Sequence, residues 1–306
     1  MRGARAALIL AAPWLACAVR KGSEESPQMD IDESKEGPED HLGDMPGFDP
    51  DTITTMVVGH LGMPEYRRFF SADDRGFISP WHDVPLHTDD GTPHEKWMVA
   101  EIPKMTSAKF EIHTEERYNP IAQDIKNGNL RHYHQPIFWN YGYLPQTWED
   151  PHEVHPELKV KGDNDPLDVV EIGHEPQKQG QVTRVKVLGA LAMIDVGELD
   201  WKIIAVDVRD PMAANVSDIA DLEREHPHMV SGIREWFRWY KVPDGQLNEF
   251  GFEGRPLNRD EAVNVVEETH QAWQRLRHGK VDATGLWLRD APDAKHVPHA
   301  EHAGLS

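Results

Sequence analysis

The chain has 306 residues, a formal net charge of −21, 39% hydrophobic and 28% charged residues, a balance that supports a globular core while repelling nucleic acid and anionic membrane. Its single cysteine, Cys17, excludes a disulfide framework, a thiolate metal site and a cysteine nucleophile in the globular part. The 23 prolines and 23 glycines favour a loop-rich β or α+β fold, and the acidity suits divalent cations.

Residues 1–20 read as a targeting segment. Arg2 and Arg5 precede an apolar run from residue 6 to 19, and Ala16-Cys17-Ala18 offers small residues for cleavage. The run is short for a membrane span and is interrupted by Pro13. This is the layout of a secretory-type signal, with a mitochondrial presequence as the rival. Residues 21–51 are dense in Asp and Glu, unlike a transit peptide, and predict an acidic disordered linker. Entry to the secretory route or an organelle after cleavage is therefore expected, with no membrane attachment afterwards.

The globular pattern covers residues 52–280. Alternation and β-branched residues predict strands at 97–102, 109–112 and 169–172. Two longer strands, 182–194 and 201–208, are joined by an acidic turn over 195–200. Helices come late. One is predicted over 229–239. Another starts at Asn258 with Glu261 three residues on, and carries Ala262, Val265, Val266, Thr269, Ala272, Trp273 and Leu276 along one face. Strands followed by helices predict an α+β, mainly β fold, a compact barrel with flanking helices. The remainder, 281–306, reads as a polar, histidine-bearing tail.

The strongest local signal is the loop 162–168, in which Asp163, Asp165 and Asp168 crowd three carboxylates into six residues. Such oxygens suit magnesium or calcium. The loop is not an EF-hand, because Asp168 and His174 stand where that motif needs Gly and Glu. Taken alone, a hard-cation site and a solvated acidic turn both fit it. Asp195, Asp200 and Lys202 form a second charged group. Glu101, Lys109 and Glu111 form a third, with Lys109 and Glu111 on one strand face. Arg131, Tyr141, Tyr240 and Lys241 add cations and phenols. Together these groups point to phosphoryl chemistry, which needs cations on phosphate oxygens and a base or metal to activate water. No Walker-type phosphate loop is present in the sequence.

In this pattern the chain resembles the soluble family I inorganic pyrophosphatases in their longer eukaryotic form. The residues that carry the resemblance are Asp163-Asn164-Asp165-Pro166-Leu167-Asp168-Val169, Trp148-Glu149-Asp150-Pro151, Asp200-Trp201-Lys202 and Glu235-Trp236-Phe237-Arg238. The resemblance implies a five-stranded OB-like closed barrel and hydrolysis of pyrophosphate to two orthophosphates by a metal-activated water. It implies several Mg2+ ions, with Mn2+ as a substitute, and a homodimer. Asp163, Asp168, Asp200 and Asp195 match metal ligands, and Glu101 and Glu111 match water-mediated metal groups. Asp165 matches the general base. Lys109, Arg131, Tyr141, Lys202, Tyr240 and Lys241 match the groups that grip the phosphates, with Tyr141 also counted as catalytic. A hydrolase of short polyphosphates and an inactive metal-binding relative are the alternatives. The chain departs from the family pattern at Val196, where many members carry Glu, and at Ile137, where a tyrosine usually stands. The stretch between Arg131 and Tyr141 is short, and Met105 replaces an interface Trp.

Overall fold

A computed structural model describes residues 47–288, except 74 and 284. The expected targeting segment, most of the acidic linker and the end of the polar tail lie outside the described residues.

The first strands are β1 (Ile53–Val58), β2 (Arg67–Ala72), β3 (Gly76–Ile78), β4 (Glu95–Ile102), β5 (Thr106–Ala108), β6 (Phe110–Ile112) and β7 (Ile121–Gln123). They continue as β8 (Ile125–Lys126), β9 (Asn129–Leu130), β10 (His132–Ile137), β11 (Asn140–Tyr143), β12 (Lys161–Gly162) and β13 (Asp168–Glu171). The long β14 (Val182–Asp195) and β15 (Glu198–Asp207) follow, and β16 (Glu249–Phe250) comes late. The helices are α1 (Ile219–Glu225), α2 (Met229–Trp239) and α3 (Arg259–Arg277). The fold is α+β and mainly β.

The principal sheet runs β12-β15-β13-β11-β4-β14-β16, and β14 also pairs with β15. Most neighbours are antiparallel, but β13 and β12 run parallel to β15. A second sheet has the order β1-β2-β7-β6, with β3 on β2. The first half of β14 alternates buried and half-buried residues, whereas its middle is buried on both faces, as expected of a strand with protein on both sides. At Gly189, beside an irregularity in the β14–β15 register, a Cβ would lie 2.3 Å from Ile219 Cγ1. Glycine there lets α1 seat directly on the strand.

Local signals place the helices. Asn258 accepts the Glu261 N–H at 2.9 Å, and Glu261 accepts the Asn258 N–H at 2.7 Å, closing the capping box. The buried face of α3 is the seven residues named from the sequence, and α2 has the expected limits. Strand edges differ more. Lys109 stands just before β6 instead of inside it, and the connection between β14 and β15 is only Val196-Gly197, so Asp200 belongs to β15. The short strand expected at 169–172 is shifted by one residue, to Asp168–Glu171. Residues flanking 52–280 also pack: Phe48 sits edge-on to Trp97 at 5.1 Å, and the Trp287 N–H reaches the Thr114 carbonyl at 2.9 Å. No helix among the described residues is long and apolar enough to cross a membrane.

Candidate active site

A cavity of about 230 Å³ opens at the ends of β13, β15 and β11. It gathers the acidic residues Glu101, Glu111, Asp163, Asp165, Asp168, Asp195 and Asp200 on its wall. The cationic and phenolic residues Lys109, Arg131, Tyr141, Lys202, Tyr240 and Lys241 line it too. These groups, scattered over residues 101–241, thus share one space.

The acidic loop is fixed by backbone bonds. The Asn164 N–H donates to the Glu149 carbonyl at 3.0 Å, and the Glu149 N–H donates to the Asp165 carbonyl at 2.9 Å. Asn164 takes a left-handed conformation, φ 76°, which asparagine tolerates better than most residues. At Gly162 a Cβ would lie 2.4 Å from the Glu149 carbonyl carbon, so glycine permits this close approach. The Asp165 N–H then donates to Asp163 Oδ1 at 3.1 Å.

Strand register sets the centre. Asp168 opens β13 opposite Lys202 on β15 and opposite Tyr143 on β11. The Lys202 ammonium lies 2.5 Å from Asp168 Oδ2, bonds Asp200, and donates to the Tyr141 hydroxyl at 2.9 Å. Tyr141 in turn donates to Asp168. At the rim Lys241 pairs with Asp195, and Lys109 pairs with Glu111. Arg131 holds Asp124 at 2.7 Å, and Lys109 reaches the same carboxylate at 3.1 Å. Glu101 lies deeper and accepts the Ile112 N–H at 2.6 Å.

Burial dominates the electrostatics. It pushes the Asp165 carboxyl up to about 8, helped by the negative charge of Glu111 and Asp168. It pushes Asp200 up to about 7 against the pull of Lys202. Asp163, Glu149 and Glu101 are held well above the carboxylate range by burial and then by neighbouring acids. Burial disfavours the Lys202 ammonium, but Asp168 and Asp200 outweigh it and raise the group. Lys109 behaves likewise beside Glu111.

Carboxylates crowded in this way resist ionising together unless cations join them. Oxygens of Glu149, Asp163 and Asp200 lie within 4.8 Å of one another. Glu149 Oε2 and Asp195 Oδ1 are buried without a partner among the described residues. Both observations fit hard divalent cations, which oxygen donors of this kind would hold. No local pattern marks Glu149 for chemistry, although it lies in Trp148-Glu149-Asp150-Pro151. Tyr133, Asp124 and Glu198 are also at or beside the cavity, and no local pattern marks them. Ile137 is fully buried in the core, Met105 is exposed, and Val196 projects into solvent from its turn.

A mainly β fold that sets buried carboxylates against lysines and an arginine defines a metal-dependent phosphoryl-transfer protein. Residues 98–274 match the family model described as inorganic pyrophosphatase. The inorganic pyrophosphatase of Zygosaccharomyces bailii is 47% identical over 244 residues, 78% of this chain and 84% of its own length. Soluble inorganic pyrophosphatase 6, chloroplastic, of Arabidopsis thaliana is 48% identical over 226 residues, 73% of this chain and 74% of its own. The crystal structure of type I inorganic pyrophosphatase from Toxoplasma gondii superposes with a TM-score of 0.70 at 46% identity, covering 73% of this chain and 99% of that one. The chain belongs to the inorganic pyrophosphatase family.

Proposed function

We propose that the chain is an inorganic diphosphatase that hydrolyses pyrophosphate to two orthophosphates in this cavity. The observation that carries the reading is the facing of Asp163, Asp165, Asp168 and the buried Asp200 by Lys109, Arg131, Lys202 and Lys241 in one space. Divalent ions, magnesium with manganese as a substitute, fit Asp163, Asp168, Asp200 and Asp195, with Glu149 beside them and Glu101 and Glu111 acting through water. When bound they neutralise substrate charge and acidify water.

Asp165 is the general base. Raised by burial and neighbouring acids, it returns to the carboxylate form once cations balance those acids. It accepts the proton of the water whose oxygen attacks one phosphorus. The bond from that phosphorus to the bridging oxygen breaks, and the bridging oxygen leaves with the second phosphate. Lys109, Arg131, Lys202, Tyr240 and Lys241 hold the phosphate oxygens and stabilise the charge that develops. The Tyr141 hydroxyl, tied to Lys202 and Asp168, orients both.

The test is phosphate release from pyrophosphate, with and without magnesium, beside Asp165→Asn. Magnesium-dependent release that falls by about 10²–10⁴-fold in the variant is expected for loss of a general base. A variant as fast as wild type would remove the base assignment, and a wild type that releases nothing would remove the reading.

We also infer that β15, β13, β11, β4 and β14 form a small OB-like barrel, a reading supported by pairings that return from β14 to β15. A homodimer rests on the family resemblance alone, is weakened by Met105 in place of an interface Trp, and would be seen by light scattering. Residues 1–20 are read as directing import or secretion and 21–51 as an acidic spacer. The chloroplastic relatives in Arabidopsis thaliana and Chlamydomonas reinhardtii accord with entry to an organelle. A reporter fused to residues 1–51 and found only in the cytosol would oppose this.

A further inference from the structure

We propose that the Tyr133 hydroxyl donates a hydrogen bond to a phosphate oxygen of the bound diphosphate. This inference rests on the diphosphatase reading and deepens it.

Tyr133 lies on β10, and its side chain lines the cavity. The ring is clamped edge-on by Trp236 at 5.1 Å and by Tyr240 at 5.6 Å. Two perpendicular ring contacts leave it little freedom, so the hydroxyl points along a fixed direction. The residue is only 7% exposed. Its hydroxyl nevertheless makes no hydrogen bond with the described residues, whereas the neighbouring Tyr141 hydroxyl is fully engaged by Lys202 and Asp168.

A phenol hydroxyl on the cavity wall with no partner among the described residues is placed to meet a ligand oxygen. Phenylalanine would make the same contacts with Trp236 and Tyr240. The hydroxyl therefore contributes nothing to packing, and its remaining outlet is the cavity. Lys109, Tyr240, Lys202 and Asp168 line the same cavity. Burial holds the phenol well above its ordinary range despite the two lysines, so it keeps its proton and donates at neutral pH. A donor that shares its cavity with the Lys109 and Lys202 ammonium groups suits an anion.

The experiment titrates the full chain with imidodiphosphate in magnesium by calorimetry, and separately with magnesium alone, for wild type and Tyr133→Phe. Imidodiphosphate affinity is expected to fall by about tenfold or more, the loss of one hydrogen bond to a charged acceptor. Affinity for magnesium alone and the melting midpoint are expected to stay as in wild type, because the removed atom has no protein partner. Imidodiphosphate affinity within about twofold of wild type overturns the proposal, since a bond to a charged acceptor is stronger than that. A parallel loss of magnesium affinity also overturns it, because Tyr133 would then act through the metal cluster. A wild type that binds magnesium but not imidodiphosphate sinks the diphosphatase reading itself, which separates the two failures. Should Tyr133→Phe melt early, Tyr133→Met provides the second variant: imidodiphosphate affinity equal to wild type in either protein again overturns the proposal.

Discussion

Lys202 stands directly opposite Asp168 in the parallel ladder of β13 and β15, with its ammonium nitrogen 2.5 Å from Oδ2. Asp200, two residues earlier on the same strand, shares that face and the same ammonium. One buried cation therefore balances the buried Asp200 and the half-buried Asp168, and a third carboxylate, Asp163, lies close by. Lys202→Met removes the cation and leaves the acids. The metal-free protein is expected to lose about 3–5 kcal/mol of stability, the usual result of stripping one partner from a buried pair. Urea unfolding in EDTA measures it, and added magnesium should recover part of the loss. An unchanged urea midpoint would mean that Lys202 carries no such burden.

The same carboxylates give the metal-free protein a pH dependence. Asp165 and Asp200 titrate at about 8 and about 7 in the fold, against about 3.9 in an unfolded chain. Between these values the folded state binds more protons than the unfolded state, so stability is greatest at low pH and falls as pH rises through the window. The melting midpoint in EDTA is expected to drop between about pH 5 and pH 8, and magnesium should flatten the curve by stabilising the ionised acids. A midpoint that rises between about pH 6.5 and pH 8 in EDTA would contradict the raised carboxyls. Glu267, held down at about 2 by His87 and Lys96, titrates below the window, whereas His94, His155 and His270, lowered by burial, oppose the fall below about pH 6.5, so the drop is steepest above it.

What the sequence made legible follows from how local each signal is. The capping box at Asn258 and the apolar face of α3 are written within a few residues, and both appear as read. The acidic loop is likewise local, and its aspartates line the cavity. The parallel pairing of Asp168 with Lys202 joins residues far apart in the chain, and no periodicity announces it. α1 is only seven residues long, too short for an amphipathic stripe to stand out. Tyr133 carried no signal either: His132 and His134 beside it are exposed, and only the clamp from Trp236 and Tyr240 turns its hydroxyl to the site.

Lys96 is fully buried and donates to Glu267 Oε1 at 2.9 Å, tying α3 to β4. Glu267→Gln leaves the ammonium buried with only a neutral acceptor. A loss of about 2 kcal/mol in urea unfolding is expected, less than for a fully buried pair because Glu267 itself is partly in water. Lys96→Met with Glu267→Gln should recover much of this loss, since no charge then stays buried. Equal stability of the single and double variants would count against the ion pair as the cause.

The two-residue turn between β14 and β15 holds Val196 at φ 51° and Gly197 at φ 89°, with Asp195 and Glu198 paired across its base. Both central residues are left-handed, the type I′ geometry that matches the twist of the strands and selects Asn-Gly. Glycine suits its place. Valine does not, because its branched Cβ crowds the backbone in that conformation at a cost of about 1–2 kcal/mol. Val196 is 78% exposed, so no burial of its methyls offsets the strain. Val196→Asn is therefore expected to raise stability by about 1 kcal/mol in urea unfolding. Val196→Gly should gain less, because glycine also frees the unfolded chain. Turnover of pyrophosphate should stay as in wild type, since the side chain faces solvent and does not line the cavity. If neither variant moves the urea midpoint, the turn does not hold valine under strain.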